Sequence, residues 1–303
     1  MITKSKYLIP RKIRSWIWRK MYMLHIFWHE GEISQLGKAE IDFSISYAAL
    51  KKKYYKKLDS FHYEDKEVSS PTRIIWWCWL QGEEQAPPLC KSCLESLKRN
   101  LPQYEIKVVT EQNILSYIHL PQHILLKYKA GIISHTHYSD IVRTQLLVEH
   151  GGVWIDSTVF CTGYNIPIFD YPLFVYQNWK FNIPQIMVAS SWLISAKKGH
   201  PILCSVRDLL FEYWKDNDKL MNYYIYHFFF QMATEHYAEL WNAVPRFSNI
   251  PPHILQFEMF NQYDSQRFEQ ICQMSDFHKL TWKHKTDQMN LSGTYYEWLC
   301  QQR

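Results

Sequence analysis

Three ionisable side chains, Asp140, Arg143 and Asp156, lie close together in the segment HTHYSDIVRTQLLVEHGGVWIDSTVF. Asp140 and Arg143 are three residues apart, so on a helix they would face the same side. Asp156 directly follows a short apolar run, and in open α/β sheets ligands bind beyond the carboxyl ends of strands. A carboxylate there can hold a hard cation, but it can also be an ordinary turn residue. The residue types and their spacing therefore favour a polar ligand site and leave a structural role for Asp156 open.

The flanking residues predict the elements that would position these side chains. Ser139 and Asp140 form a candidate N-cap pair, because a short side-chain oxygen accepts from the free N–H groups of a first helical turn. Gly151-Gly152 would end the helix, and residues 153–155 have the composition of a buried strand. Apolar side chains recur at helical spacing between the cap and the glycines: Ile141, Val142, Leu146 and Leu147. The predicted order is helix, tight stop, strand and aspartate.

The rest of the chain predicts one α/β domain preceded by a helical N-terminal extension. The charged segment KKKYYKKLDSFHYEDKEVSSP marks a boundary, so we predict the extension over residues 1–70 and the main domain over residues 71–303. In the main domain strands alternate with helices, which is typical of a sheet with helices on its faces. Strands are predicted at 73–80, 105–109, 153–155, 173–177 and 185–195, and helices at 88–99, 121–131, 201–216 and 219–241.

The positive charge of the chain is concentrated in its N-terminal part. The net charge is +5, but residues 1–57 hold 13 Lys or Arg against 4 Asp or Glu, a net charge of +9. Aromatic residues such as Trp16, Trp18 and Phe27 are interleaved with these cations, a pattern that is typical of segments lying on an anionic membrane surface. A basic helix packed on the domain, or a nucleic-acid arm, would look similar. We expect an anionic membrane surface as the partner of residues 1–57, and no nucleic acid.

The composition excludes a disordered chain and a membrane-spanning one. Hydrophobic residues make up 47% of the 303 residues and aromatic residues 17%. No apolar run approaches the roughly 18 residues of a membrane span, and the basic start lacks the features of a signal peptide. Seven scattered cysteines agree with a reducing compartment, and Cys90 and Cys93 are predicted to be core residues because no second pair completes a zinc site. We therefore expect a cytoplasmic protein, peripheral on the inner face of the cell membrane.

Three stretches, taken in order, resemble the capsular polysaccharide synthesis glycosyltransferases. They are IIWWCWLQGEEQAPPLCKSCLESLKRNLPQYE, HYSDIVRTQLLVEHGGVWIDSTV and FHKLTWKHK. The most specific part of the resemblance is SDIVR followed by GGVWID, and the likeness extends over most of the main domain. The family is related to sugar transferases with an Asp-any-Asp motif, which include yeast-type mannosyltransferases. The resemblance implies a glycosyltransferase A-type (GT-A) fold, that is, a Rossmann-like, nucleotide-binding mixed sheet flanked by helices.

The resemblance also implies a reaction and its participants. A sugar would move from a nucleotide-sugar donor to a glycan or lipid-linked acceptor, with retention of configuration and usually with a divalent cation, Mn²⁺ or Mg²⁺. Asp156 would lie beside that cation and the donor ribose, and Asp140 and Arg143 would meet the donor sugar hydroxyls. The predicted catalytic residues are thus Asp156 and Asp140. The family binds the nucleobase at the first strand, which carries Trp76, Trp77 and Trp79, and we expect two of these three to be core residues. The residues predicted there to bind the donor are Trp76, Trp79 and Gln81.

One position departs from the family motif. Where relatives carry a second aspartate, this chain has Thr158, so a cation would be held weakly unless another ligand exists. The predicted metal ligands are Asp156, Thr158 and His278, because A-type transferases often supply a late histidine. Lysines near His278 can neutralise a diphosphate as point charges, or can form a solvated basic strand. They are Lys279, Lys283 and Lys285.

Two other functions compete with sugar transfer. A membrane-surface or nucleic-acid binding module could use the basic N-terminus without catalysis. A metal-dependent hydrolase could use His135, His137 and Asp156, since alternate residues of an extended segment point the same way. A binding module has no need for Asp140, Arg143 and Asp156 together with a late histidine and lysine cluster. The combination of motifs therefore favours the enzyme.

Overall fold

The computed structural model describes residues 32–63, 72–178, 187–283 and 292–302, and it divides the chain into two compact units, Met1–Lys52 and Lys53–Arg303. Most of the basic segment proposed for membrane contact, and Lys285, lie outside the described residues. A long helix, α1 (Glu32–Tyr54), leads into the second unit and is followed by a 3-10 turn over Tyr55–Ser60. Among the described residues, no helix is long and apolar enough to cross a membrane.

The second unit is built on a mixed sheet of six strands. The strand order is β2-β1-β3-β6-β5-β7, in which β1 is parallel to both β2 and β3, whereas β6 is antiparallel to β3 and β5. A separate antiparallel pair consists of β4 and β8. The strands are β1 (Ile74–Cys78), β2 (Glu105–Val109), β3 (Gly152–Ile155), β4 (Val159–Cys161), β5 (Leu173–Gln177), β6 (Ala189–Ala196), β7 (Phe247–Ser248) and β8 (Phe277–Lys279). The α/β class, with a mixed sheet flanked by helices, is thereby confirmed.

The helices follow the predicted alternation in the first half of the domain and become more varied in the second. They are α2 (Pro88–Asn100), α3 (Ile114–Tyr117), α4 (Gln122–Lys129), α5 (His135–His150), α6 (Pro201–Asp216), α7 (Ile225–His236), α8 (Ala238–Asn242), α9 (Ile254–Glu258), α10 (Ser265–Met274) and α11 (Tyr295–Gln301). The predicted helix over 219–241 is wrong in its extent, because it is divided into α7 and α8 at Tyr237.

The central strands are buried on both faces, as their continuous apolar sequences indicate. Alternate side chains of β1 and β3 point to one face and form a core with α2, while Trp76 and Trp154 point to the other. Cys90 and Cys93 are buried free thiols of α2, as predicted. The core on the α2 side contains Ile75, Trp77, Val153, Ile155, Cys90, Leu94 and Leu97. Burial of such a continuous apolar face is the main term that stabilises the sheet.

The Gly151-Gly152 pair is needed at the junction of α5 and β3. Both residues have positive φ angles, 72° and 93°. A Cβ atom on Gly152 would lie 2.5 Å from the carbonyl oxygen of Ile74, which is closer than atoms can approach. Only glycine therefore lets the chain turn from the helix straight into a strand paired with β1.

The helix that precedes these glycines begins earlier than predicted. Its N-cap is Ser134, whose hydroxyl accepts from the backbone N–H of His137, so α5 begins at His135 rather than near Ser139. The prediction of the cap was wrong because two serines are available and the earlier one has the cap conformation. Asp140 and Arg143 are consequently in the body of the helix and still share one face, as predicted.

Candidate active site

A cavity of about 930 Å³ opens beyond the carboxyl ends of β1 and β3. The parallel register of these strands, with Trp77 beside Ile155, places the residues that follow them next to each other. Segments far apart in the sequence complete the wall, including the residues after β8 and the start of α5. Of the residues predicted for the site, those lining the cavity are Trp79, Gln81, Arg143, Asp156, Thr158, Lys279 and Lys283.

Asp156 lies between two cations on the cavity wall. Its Oδ1 atom accepts from the indole N–H of Trp154 at 2.8 Å and lies 3.4 Å from Nη2 of Arg143. Its Oδ2 atom lies 3.5 Å from Nζ of Lys279. The backbone N–H of Asp156 donates to the carbonyl of Trp192 on β6, so the backbone after β3 is also held in place. The carboxylate is therefore fixed in place, with a quarter of its side chain exposed to the cavity.

Arg143 is the best-enclosed charged group of this cluster, with 8% of its side chain exposed. Its Nη1 atom donates to the carbonyl of Ser191 at 2.8 Å, and its guanidinium lies over the rings of Trp154 and Tyr226. Burial alone would lower the pKa of Arg143, but the nearby carboxylates of Asp156 and Asp140 raise it above its usual value. The guanidinium is thus a permanent cation with little freedom to move.

Asp140 lies behind Arg143 rather than at the cavity. Its Oδ1 atom is 3.4 Å from Nη1 of Arg143, and its Oδ2 atom is 3.6 Å from Nδ1 of His137. Among the described residues that line the cavity, Arg143 and Ser139 from the same helix are present and Asp140 is not. This corrects the prediction that Asp140 contacts the donor directly, because the intervening guanidinium occupies that position. We infer that Asp140 positions Arg143.

The register of β8 against β4 decides whether His278 or Lys279 lies beside Asp156. Val159 is opposite Lys279 and Phe160 is opposite His278. Because side chains alternate along a strand, Lys279 points to the cavity, where it also donates to Oγ1 of Thr158, and His278 points away. His278 is fully buried, and its Nε2 atom lies 3.0 Å from the hydroxyl of Thr162. The prediction of His278 as a metal ligand was therefore wrong by one residue of strand register.

The residues at this position do not match the ligand set predicted for a divalent cation. Asp156 has cationic or N–H partners at both oxygens, Thr158 accepts from the Lys279 ammonium, and His278 is on the other side of the strand. Within residues 32–63, 72–178, 187–283 and 292–302, no group of three or more His, Cys, Asp or Glu side chains is placed to hold a metal. The requirement for a divalent cation stays a prediction from the sequence.

The two histidines proposed for a metal-dependent hydrolase point in different directions. His135 and His137 lie in the first turn of α5, not in an extended segment, so residues two apart point in different directions. His135 borders the cavity and its Nδ1 atom is 2.9 Å from the hydroxyl of Tyr128. His137 is buried against Asp140 and the ring of Tyr223. The helical conformation therefore removes the geometry on which the hydrolase hypothesis depended.

Aromatic residues at the cavity differ from those predicted. Trp76 is 1% exposed, and its indole N–H donates to the carbonyl of Gly151, so the prediction that it binds the donor base is corrected to a core role. Trp79 does line the cavity and meets Trp282 edge to face, with ring centroids 5.7 Å apart. Trp282 was missed, although it is the aromatic residue between the lysines of FHKLTWKHK. Tyr223 and His253 also line the wall, and they belong to segments without a recognisable motif.

Comparison with known proteins agrees with the motifs at this site. The sequence model of a family described as capsular polysaccharide synthesis protein matches residues 30–299. The chain belongs to this family. A solved structure titled PaToxG Glycosyltransferase is similar over 86% of this chain and 97% of that chain, at 14% sequence identity and a TM-score of 0.42. No curated protein shows significant similarity to the chain. Family membership confirms the resemblance.

The burial of His278 predicts a dependence of stability on pH. Burial lowers the pKa of His278 to about 4, whereas an unfolded histidine titrates near 6.5. Between these values the unfolded chain binds a proton that the folded chain does not, so this contribution to stability is full above about pH 6.5 and is lost as the pH falls towards 4. We expect the free energy of unfolding to fall by up to about 3 kcal/mol across this window. Denaturant unfolding at several pH values measures this change.

A variant isolates the contribution of His278. His278→Gln should weaken the acid dependence, while His119→Gln, at an exposed histidine, should leave it unchanged. Part of the dependence should remain in His278→Gln, since burial also lowers the pKa of His227 to about 4. An acid dependence that is identical in wild type and His278→Gln would show that His278 is not buried in a neutral state.

Proposed function

We propose that this protein is a glycosyltransferase that moves a sugar from a nucleotide-sugar donor to a glycan or lipid-linked acceptor. We further propose a GT-A type arrangement and a retaining outcome, as the family resemblance implies. Membership of the capsular polysaccharide synthesis family supports this role. The observation that carries the proposal is the pair of cations, Arg143 and Lys279, on either side of Asp156 in a cavity at the strand ends. Such a wall can bind an anionic diphosphate and neutral sugar hydroxyls together.

The cavity suits a nucleotide sugar in its size and in its lining. Its volume of about 930 Å³ is at the upper end of the range of roughly 300–1,000 Å³ that is usual for small-molecule sites. Trp79 and Trp282 present ring surfaces on which a nucleobase or a sugar face can stack. Gln81 lies on the same part of the wall and offers an amide that can pair with a base edge. These features support a base subsite beside the end of β1.

The charged groups support the chemistry of a diphosphate leaving group. Negative charge develops on the leaving oxygen as the bond to the sugar breaks, and donors already in place stabilise it without reorganisation. Arg143 is held by the Ser191 carbonyl and by Asp140, so its position does not depend on the ligand. Asp156 attracts both Arg143 and Lys279, offsets the repulsion between them, and also presents a carboxylate to a ribose or sugar hydroxyl. We assign Asp156 as the residue that organises this wall.

Release of nucleotide from a panel of nucleotide sugars tests the proposed function. The full-length protein should release a nucleoside diphosphate from one donor faster than from the others, and an added glycan or lipid-linked acceptor should increase the rate. Binding of nucleoside diphosphates, followed by calorimetry, provides a second measurement. If no nucleoside diphosphate binds and no donor is consumed with any acceptor, the glycosyltransferase proposal is wrong and a binding module becomes the better interpretation.

We also propose that the basic N-terminal segment brings the protein to the inner face of the cell membrane. The support is the sequence itself, in which residues 1–57 carry a net charge of +9 among several tryptophans. Each Lys or Arg near an anionic leaflet contributes about 1 kcal/mol of attraction at low salt. The full chain should therefore cosediment with phosphatidylserine vesicles and be released as salt screens the charges.

A triple substitution tests the membrane proposal within the intact chain. Replacing Arg11, Lys12 and Arg14 by glutamine should reduce vesicle binding and leave nucleotide release unchanged. A control that replaces Lys98 and Lys107 of the main domain by glutamine removes positive charge elsewhere and should still bind vesicles. If wild type does not cosediment with anionic vesicles at low salt, the membrane proposal is wrong.

A further inference from the structure

We propose that the ammonium group of Lys279 takes the place of the divalent cation at the diphosphate, so that sugar transfer by this protein does not require a metal. This inference rests on the proposed glycosyltransferase function. The position in question is the space beside Asp156 and Thr158, where a cation was predicted from the sequence. In the structure Nζ of Lys279 occupies this space.

The contacts of Lys279 define a cation position rather than a loose surface lysine. Its Nζ atom donates to Oγ1 of Thr158, lies 3.3 Å from the carbonyl of Leu280 and lies 3.5 Å from Oδ2 of Asp156. These three partners are a hydroxyl, a carbonyl and a carboxylate, which are the oxygen types that hard cations prefer. Only 20% of the Lys279 side chain is exposed, and it lines the cavity. The ammonium is therefore held by oxygen atoms at the position where the sequence predicted a metal.

Charge balance around Asp156 also disfavours an additional metal. Arg143 lies at one carboxylate oxygen and Lys279 at the other. A divalent cation bound to Asp156 would lie within a few ångströms of both cations, and like charges at that distance repel strongly where water is limited. With Thr158 in place of a second aspartate, no further carboxylate of the motif offsets this repulsion. The two side-chain cations thus already occupy both oxygens of the single carboxylate.

The two cations leave room for a diphosphate to bind. Two contacts of Lys279 are long, a hydrogen bond of 3.3 Å to the carbonyl of Leu280 and an ion pair of 3.5 Å with Asp156, and a phosphate oxygen can replace them. Lysine acts on phosphate as a compact point charge on a flexible stem, so Nζ can follow the leaving oxygen. Arg143 is rigid and supplies the second positive charge. Each of the two cations places a positive charge at the diphosphate, and Asp156 offsets one of them, so together they neutralise the charge of the leaving group in part.

The transfer step balances without a further reactant. The bond between the anomeric carbon and the β-phosphate oxygen breaks, and its electron pair stays on that oxygen, where Lys279 stabilises the charge. The acceptor hydroxyl oxygen forms the new bond to the anomeric carbon. The proton of that hydroxyl leaves with the nucleoside diphosphate. No electron is exchanged with another group.

Binding of nucleoside diphosphates with and without chelator tests the inference. UDP, GDP, ADP and CDP are titrated into the full-length protein in excess EDTA and again in excess Mn²⁺. We expect one of them to bind with the same affinity in both conditions. Lys279→Met should weaken that binding about 10- to 100-fold, because a charge-assisted hydrogen bond to phosphate is lost. Lys279→Arg, which keeps the charge, should lose less.

A matched lysine serves as the control variant. Lys107 on β2 is also a strand lysine beside a carboxylate, 2.8 Å from Glu105, with 26% of its side chain exposed. It is outside the cavity, so Lys107→Met should bind nucleotide as wild type does. Nucleotide release from the preferred sugar donor should likewise continue in EDTA, and it should be lost in Lys279→Met and retained in Lys107→Met.

The outcomes separate this inference from the proposed function. If wild type binds the diphosphate and transfers sugar only when Mn²⁺ or Mg²⁺ is present, the inference is overturned and the glycosyltransferase function stands. If Lys279→Met binds the diphosphate in EDTA as tightly as wild type, Lys279 does not contact it and the inference is also overturned. Absence of any nucleoside diphosphate binding overturns both. The comparison of wild type in EDTA and in Mn²⁺ requires no variant, so it remains decisive even if Lys279→Met is unstable.

Discussion

Asp156→Asn should lower the rate of sugar transfer by at least about 100-fold, which is the usual effect of removing one preorganised electrostatic group from an active site. Asparagine has nearly the size of aspartate, and its side-chain oxygen can still accept from the indole N–H of Trp154. What it lacks is the negative charge that lies between Arg143 and Lys279. Without it the two cations repel each other and their positions at the diphosphate change. Initial rates of nucleoside diphosphate release, at saturating donor and acceptor, measure the effect.

The melting temperature of Asp156→Asn must be compared with that of wild type, because the interpretation requires a folded variant. Asp170→Asn is a suitable control, since Asp170 is exposed and does not line the cavity. It should have the wild-type rate and the wild-type melting temperature. If the rate of Asp156→Asn equals the wild-type rate, Asp156 has no role in the reaction and is only a turn residue.

Arg143→Met should destabilise the fold by about 3–5 kcal/mol, the usual cost of breaking a buried ion pair from one side. Asp140 would remain in the interior, with 12% of its side chain exposed, and would lose its guanidinium partner. The carbonyl of Ser191 would lose its donor as well. Transfer activity should be abolished in the same variant, because the cation facing Asp156 is gone. Denaturant unfolding followed by circular dichroism measures the loss of stability.

Two further variants assign this effect to the buried charge. Arg143→Met combined with Asp140→Asn should recover part of the stability, because the unpaired carboxylate is removed together with its partner. Lys98→Met breaks a surface ion pair with Glu95 and should change stability very little. If Arg143→Met is as stable as wild type, the contacts of Arg143 with Asp140 and Ser191 do not stabilise the fold.

The arrangement at the site is a row of alternating charges that extends from the interior to the cavity. Asp140 holds Arg143, Arg143 faces Asp156, and Asp156 faces Lys279. Each charged group is thereby held by its neighbours. The inner two side chains, Asp140 and Arg143, are 12% and 8% exposed, whereas Asp156 and Lys279 are 25% and 20% exposed. The two predictions act at different points of this row. Arg143→Met affects both stability and the reaction, whereas Asp156→Asn affects mainly the reaction.

The amino-acid sequence by itself determined the elements and the end of the sheet at which the site lies. The apolar run of β3 and its flanking glycines are local signals, and they correctly placed Asp156 at a strand end. Helical spacing correctly placed Asp140 and Arg143 on one face. The predicted strand at 105–109 and the predicted helix at 201–216 have the bounds seen in the structure. These features depend on residues within one element, and their physical causes are periodicity and backbone conformation.

Tertiary structure alone decided which side chains meet at the cavity. The register of β8 against β4 placed Lys279 beside Asp156 and turned His278 into the interior, and a shift by one residue would have done the reverse. Trp79 packs against Trp282, about 200 positions later in the chain. A contact between residues so far apart in the sequence cannot be predicted from a local sequence pattern. Strand register and ring contacts depend on the whole folded chain, because they are set by the burial of faces that belong to different elements. The sequence alone therefore predicted a carboxylate at a strand end with lysines in a later segment. The tertiary structure determined that Lys279 is the lysine paired with Asp156.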